Sequence, residues 1–339
     1  MINYNRRKFI KSAATTGIGM GLLGGPLKAG GRGRSQDKTR VGIIGLDTSH
    51  SPAFAKIIND PNGAADVSDF ELVAAYPYGS RKIESSYRRI PGYIEDFKEM
   101  GIDITESIDE LIDKVDVVLL ATNDGHPHLE QALPVLIAGK RLFIDKPIAG
   151  SLKDTVAIMQ ASRQYNTPVF SSSSLRYMSA AQAVRNDNAV GDVLGADIYS
   201  PAHLEPSHPD LFWYGIHGVE ILFTIMGTGC QSVSRSKTNG SDIVVGTWKD
   251  EHLGTWRGIR NGSSGYGGTA YGSEKILPLG SYEGYRPLVV EILEFFRTGI
   301  SPVSLDETLE IYAFMEAADE SKRQGGVPVQ MADVLAKAK

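Results

Sequence analysis

A single cysteine, Cys230, stands in a chain of 339 residues. That excludes an intramolecular disulfide framework and leaves too few thiolates for a structural zinc site, so no metal centre is expected. Long apolar runs are missing as well. Beyond the N-terminus no stretch of about 18 strongly apolar residues occurs, which argues against an internal membrane span. Acidic residues are absent from the first 30 positions, although the whole chain carries a net charge of −5. No internal repeat is present.

The acid-free start reads "NRRKFIKSAATTGIGMGLLGGPLKAG", with Arg6 and Arg7 ahead of a weakly apolar, glycine-rich run. It resembles a twin-arginine export signal, a receptor-read address and not an anchor. The expectation is a signal over 1–30, cleaved near Ala29, and a linker over 31–38. The protein would then leave the twin-arginine machinery folded, for the periplasm, with no membrane attachment. Removing five cations (Arg6, Arg7, Lys8, Lys11, Lys28) and no acid takes the charge from −5 to −10. A chain that acidic has no sequence-wide case for nucleic acid, and small solutes are the expected partners.

From Thr39 to about Ile148, short apolar runs alternate with helical patterns: "RVGIIGL", "FELVAAY", "VDVVLLAT" and "RLFIDKP" read as buried parallel strands. "SPAFAKIIND" reads as a helix with Ser51 as N-cap and Pro52 at its first position. "SIDELIDK" carries a Ser107/Glu110 capping box. Residues 79–105, rich in Arg, Tyr and Gly, read as an insertion with at most one helix. After "SLKDTVAIMQASRQYN" and "PVFSSS" the pattern changes to short strands between Gly/Asn/Asp turns, which suits an antiparallel sheet. One helix, "DLFWYGIHGVEILFTIMG", interrupts them, and two helices are expected to close the chain.

The turn after the first strand, "VGIIGLDTSH", begins like a dinucleotide-binding fingerprint at Gly45. The second and third glycines are replaced by Asp47 and His50. Asp47 would set a carboxylate against phosphate charge, at about 1–4 kcal/mol per pair, unless it turns away. Thr48, Ser49 and His50 offer side-chain donors instead, at a helix start that attracts anions. The second strand ends in Tyr76-Pro77 where an acid commonly meets the ribose; Ser80 and Arg81 suit a 2′-phosphate.

Four separated blocks are similar to the Gfo/Idh/MocA oxidoreductases. They are "ATNDGHPHLEQALPVLIAGKRLFIDKP", "SSSLRYM", "GIHGVEILFTIMG" and "EILEFFRTGISPVSLDETLEIYAFMEAADESKRQGGVPV". The resemblance implies an α/β fold, with a Rossmann-like parallel-sheet domain over 39–150. An α+β substrate and oligomerisation domain with a large, open, mostly antiparallel sheet would follow over 151–339. It also implies a nicotinamide cofactor, NADP or NAD, acting on a sugar, polyol or glycoside, and a homo-oligomer through the open sheet. Lys146 would be catalytic, partnered by His217 or Tyr214, because the family's aspartate position holds Trp213. The expected cofactor contacts are Gly45, Asp47, Thr48, Ser49, His50, Ser80, Arg81, Thr122, Asn123, Asp145 and Lys146. Arg176, Tyr177 and Trp213 would touch substrate, while His128 reads as structural. A glycosidase that oxidises transiently, or a carbohydrate-binding scaffold without dinucleotide, are the alternatives.

Overall fold

The computed structural model describes residues 38–338; the expected signal, and the linker up to residue 37, lie outside them. The chain runs β1 (Thr39–Ile44), α1 (His50–Ile58), β2 (Phe70–Tyr76), α2 (Glu84–Tyr87), α3 (Ile90–Glu99), β3 (Asp103–Ile104), α4 (Ile108–Lys114) and β4 (Val117–Leu120). It continues through α5 (His128–Ile137), β5 (Leu142–Asp145), α6 (Leu152–Gln164) and β6 (Val169–Ser172). These six strands pair in parallel, in the order β3-β2-β1-β4-β5-β6. The order reverses between β1 and β4, and ligands of such sheets bind at the carboxyl ends beside that switch point. Strands β4, β5 and β6 are buried along their whole length, which explains the unbroken apolar run of β4 and the apolar starts of β5 and β6.

The parallel sheet extends to Ser172, past the expected boundary at 150. Residues 79–105 hold two helices where at most one was expected. Ile90 and Phe97 lie two turns apart and both are buried, a helical spacing that the Arg, Tyr and Gly content masked. Helix α1 begins at His50, ahead of the expected Ser51 cap. Ser51 Oγ donates to the Gly45 carbonyl at 2.7 Å and is spent on the turn. The Ser107 cap forms as expected, accepting Glu110 N–H at 3.1 Å, while Glu110 reaches back to Glu106 N–H.

The second part holds α7 (Ser179–Asn186), β7 (Val193–Pro201), α8 (Ile216–Met226), β8 (Cys230–Lys237), β9 (Ser241–Trp248), β10 (Leu253–Ile259), β11 (Gly267–Gly272) and β12 (Ile276–Pro278). The chain closes with α9 (Arg286–Thr298), α10 (Leu305–Arg323), β13 (Val329–Gln330) and α11 (Met331–Ala338), a helix that the sequence pattern did not announce. The sheet order is β12-β11-β7-β10-β9-β8-β13, antiparallel except for the β7–β10 pair. Helix α8 presses on this sheet through Gly218, where a Cβ would fall 2.0 Å from Trp256 Nε1. Trp256 is fully buried and donates to Ser200 Oγ at 2.9 Å. That close approach fixes the height of the neighbouring His217. The opposite face leaves Leu194, Tyr199 and Leu253 exposed.

Two helices seat the second part on the first. Tyr312 of α10 accepts the Ile148 N–H at 2.6 Å, just past β5. Helix α9 returns to the first sheet, packing Phe296 on Phe70 and pairing Arg297 with Asp69. No helix among the described residues is long and apolar enough to cross a membrane.

Candidate active site

Two cavities open along the carboxyl edge of the parallel sheet. The smaller, about 290 Å³, is lined by Thr48, Ser49, His50, Lys146, Tyr214 and His217, among others. The larger, about 670 Å³, lies beyond the end of β2, against Tyr76, Tyr78, Arg81, Lys82, Asp124 and Gln131. They share no lining residue, and Asp47 sits between them.

Gly45 makes the turn that starts this edge. Its φ is +92°, and a Cβ would fall 2.5 Å from the Thr122 nitrogen, so only glycine fits. Asp47 follows and is fully buried. One carboxylate oxygen accepts Ser80 N–H at 2.7 Å and the other Asn123 N–H at 2.9 Å. Burial pushes this carboxyl above its usual range, against the pull of those two donors. The carboxylate has thus turned toward backbone donors, the arrangement that relieves the repulsion expected of it. It pins the loop after β2 and the loop after β4 to the loop after β1.

Lys146 emerges one residue past β5, only 7% exposed. Its Nζ stands 5.9 Å from the Trp213 ring centre and 6.0 Å from that of Tyr214. No carboxylate lies within salt-bridge distance of Nζ among the described residues. Burial pulls the amine below its ordinary range, opposed by the Asp145 charge. A single π-helical turn over Leu211–Gly215 precedes α8 and carries Trp213 and Tyr214 to the lysine. Such turns recur at functional sites. Tyr214 packs edge-on to His217 at 5.7 Å. His217 is buried, and its Nδ1 lies 2.7 Å from Ser173 Oγ. Burial pulls this imidazole well below its ordinary range, and the charge of Lys146 adds to that.

His50 is not turned to a phosphate position. Its Nδ1 meets Asp145 Oδ2 at 2.5 Å, and its ring stacks on Tyr285 at 4.7 Å. Asp145 also accepts the Lys146 N–H at 2.8 Å. Burial pushes the Asp145 carboxyl up, but His50 and then Lys146 outweigh it and hold it below its usual range.

Other expected site residues stand elsewhere. Arg176 is buried between Glu220 and Glu307, each at 2.7 Å, so its charge is consumed inside the protein and cannot meet substrate. Tyr177 is buried beside it and lines neither cavity. Thr122 is buried, donating to Gln131 Oε1 at 2.8 Å. Ser80 lies inside, with Arg81 outside on the larger cavity. His128 spans the Thr122 and Ile148 carbonyls at 2.7 and 3.2 Å. Three aromatic lining residues, Tyr266, Tyr282 and Tyr285, were missed, as were Ser85 and Arg89 from the insertion. No local motif marks them, because they reach the cavity only through the tertiary fold. At the larger cavity, ligand-type atoms of Asp124, His126 and His208 gather within 4.8 Å of one another. Asp124 already accepts the His126 N–H at 2.9 Å and His126 Nδ1 at 2.8 Å. Burial pushes the Asp124 carboxyl up, and the two imidazoles more than reverse it.

The sheet order defines a Rossmann-like parallel-sheet part followed by a mostly antiparallel-sheet part. Residues 39–173 match the family GFO_IDH_MocA, described as "Oxidoreductase family, NAD-binding Rossmann fold". An uncharacterised oxidoreductase of Streptococcus pneumoniae is 30% identical over 102 residues, 29% of this chain and 28% of that protein. The curated relatives that match are covered over only 28–39% of their length. Among solved structures, a probable dehydrogenase from Thermotoga maritima superposes with a TM-score of 0.71 at 18% identity, over 87% of this chain and 99% of the other. A scyllo-inositol dehydrogenase from Lactobacillus casei, holding NAD(H) and scyllo-inositol, gives 0.66 at 16%, over 87% and 99%. These likenesses establish the fold.

The residues present suit a nicotinamide dinucleotide at both ends. Thr48 and Ser49 precede the α1 N-terminus at the smaller cavity, a place that attracts anions. Tyr76, Tyr78 and Arg81 offer aromatic and cationic walls at the larger one. A dinucleotide reaching both has to pass over Asp47, whose charge is already met by backbone N–H groups.

Proposed function

We propose that the protein is an NAD(P)-dependent oxidoreductase that interconverts a secondary alcohol of a sugar, polyol or glycoside with the ketone. The observation that carries this reading is the buried Lys146, aimed with His217 and Tyr214 into the cavity beside the sheet's switch point. Thr48 and Ser49 would hold one end of the dinucleotide, and Tyr76, Tyr78 and Arg81 the other. When bound, the nicotinamide supplies the hydride acceptor. Lys146 hydrogen-bonds the reacting hydroxyl; burial disfavours its charged form, so it can assist a proton leaving oxygen. Trp213 offers a flat face to a sugar ring.

Arg81 and Lys82, without an acid at the end of β2, favour NADP. The N-terminal sequence favours twin-arginine export to the periplasm, where the cofactor must be held tightly because no free pool supplies it. The exposed sheet face with Leu194, Tyr199 and Leu253 is the surface for a homo-oligomer. A second reading, a carbohydrate-binding protein without dinucleotide, draws on Asp47 standing between the cavities. Incubation of the purified protein with NAD or NADP and a panel of polyols, sugars and glycosides tests the first reading. Reduced nicotinamide is expected with one substrate class. No reduction across the panel, in protein that also fails to bind dinucleotide, overturns it.

A further inference from the structure

We infer that His50 accepts the proton of the substrate hydroxyl, with Asp145 setting its tautomer, and that His217 serves only as a hydrogen-bond donor. This rests on the oxidoreductase reading and reassigns the base within it. The sequence pointed to His217 or Tyr214 beside Lys146, and to His50 as a phosphate donor.

The assignment follows from sorting hydrogen-bond partners at two imidazoles that line one cavity. A carboxylate only accepts. Asp145 Oδ1 takes the Lys146 N–H at 2.8 Å, and Oδ2 faces His50 Nδ1 at 2.5 Å, so the His50 proton sits on Nδ1. Its Nε2 has no hydrogen-bond partner among the described residues. The ring is held by Tyr285 at 4.7 Å and Phe54 at 5.8 Å, and it lines the cavity. Nε2 is therefore a bare lone pair offered to a ligand.

At His217 the logic reverses. Ser173 Oγ accepts the Leu175 N–H at 3.2 Å, and among the described residues its hydroxyl hydrogen finds no acceptor but His217 Nδ1 at 2.7 Å, to which we assign it. That leaves the proton of the neutral ring on Nε2. One imidazole can take a proton from a bound hydroxyl, and the other can only donate toward its oxygen. The Asp–His pair follows the logic by which a carboxylate fixes a base and stabilises the imidazolium that forms.

The hydroxyl O–H bond breaks and its proton goes to His50 Nε2. A bound oxidised nicotinamide would accept the carbinol hydrogen with its electron pair, while the oxygen's electrons would form the carbonyl. Lys146 and the His217 Nε2–H hold that oxygen throughout. In the reductive direction His50 returns the proton.

The test is a long-range proton–nitrogen correlation spectrum of the purified protein labelled with 15N-histidine. The chain has seven histidines, and the His50→Gln and His217→Gln variants assign the two signals. His50 is expected with Nδ1 protonated and Nε2 bare, and His217 with the opposite pattern. In Asp145→Asn the amide oxygen must stay on the Lys146 N–H, so the NH2 faces His50 Nδ1 and forces the other tautomer. Turnover in that variant is expected to fall about 10²–10⁴-fold with NAD(P) affinity retained. Ser173→Ala, which frees His217, should cost about tenfold or less. A protonated Nε2 on His50 in the unmodified protein, or full turnover in Asp145→Asn, overturns the role of His50 alone. Failure to bind any dinucleotide overturns the oxidoreductase reading itself, which the spectrum does not depend on.

Discussion

The Asp47 carboxylate accepts the Ser80 backbone N–H at 2.7 Å, so the loop after β2 is fastened over the turn after β1. With the second oxygen on Asn123 N–H at 2.9 Å, three loops of the sheet edge meet at one buried charge. Asp47→Ala leaves two buried donors without an acceptor. Each such loss costs about 1–3 kcal/mol, so urea unfolding should show a loss of about 2–6 kcal/mol. Dinucleotide affinity should fall with it, because Arg81 and Tyr78 sit on the released loop. A tighter affinity in this variant would identify Asp47 as a barrier to the dinucleotide and support the binding-protein reading.

Among the described residues Lys146 makes no ion pair through its amine, so a neutral side chain can replace it without orphaning a charge there. Lys146→Met should keep nucleotide affinity and leave thermal stability equal or higher. Turnover should fall about 10²–10⁴-fold, the usual span for a lost proton-transfer group. Unchanged turnover would remove the lysine from the mechanism.

Arg176 tests the opposite case, a residue whose charge is structural. Its guanidinium holds Glu220 and Glu307, all three at most 6% exposed in their side chains. Arg176→Met leaves two buried carboxylates short of a partner, and breaking a buried pair this way costs about 3–5 kcal/mol. Denaturant unfolding should register that loss. A variant of normal stability with weakened substrate binding would return Arg176 to the site.

Much of the fold was legible because its signals are local. Buried parallel strands read as unbroken apolar runs, and the antiparallel part reads as short strands between turn residues. Lys146, His217, Tyr214 and Trp213 were also legible, and the structure brings them to one cavity. The Asp145–His50 contact was not, since 95 positions separate the two residues and nothing in either segment names the other. Arg176 misled for a related reason: an arginine after a strand looks free until the fold brings Glu220 and Glu307 to it. The helix over 90–99 was hidden by composition, although its buried positions keep helical spacing.

Asp210 carries a pH prediction. It accepts Lys322 Nζ at 2.7 Å, Arg235 Nη2 at 2.8 Å and Lys237 Nζ at 2.9 Å. Burial pushes its carboxyl up, but these cations outweigh it and hold it well below the usual carboxylate range. A carboxylate depressed on folding adds stability above its unfolded value, near 4, and loses it as pH falls toward the folded value. Asp210→Asn should therefore cost about 1–3 kcal/mol at neutral pH. The gap to the unmodified protein should close as unfolding is followed down through the acid range. A gap that stays constant with pH would mean the charge is not what matters.

The central claim is that this sheet edge, with Asp47 and His50 in place of two glycines, still takes a nicotinamide dinucleotide. Calorimetric titration of the purified protein with NAD and with NADP, alongside mass spectrometry of what the denatured protein releases, tests it directly. The account predicts a released dinucleotide, or saturable binding to emptied protein that is tighter for NADP. Protein that releases none and binds neither would contradict it.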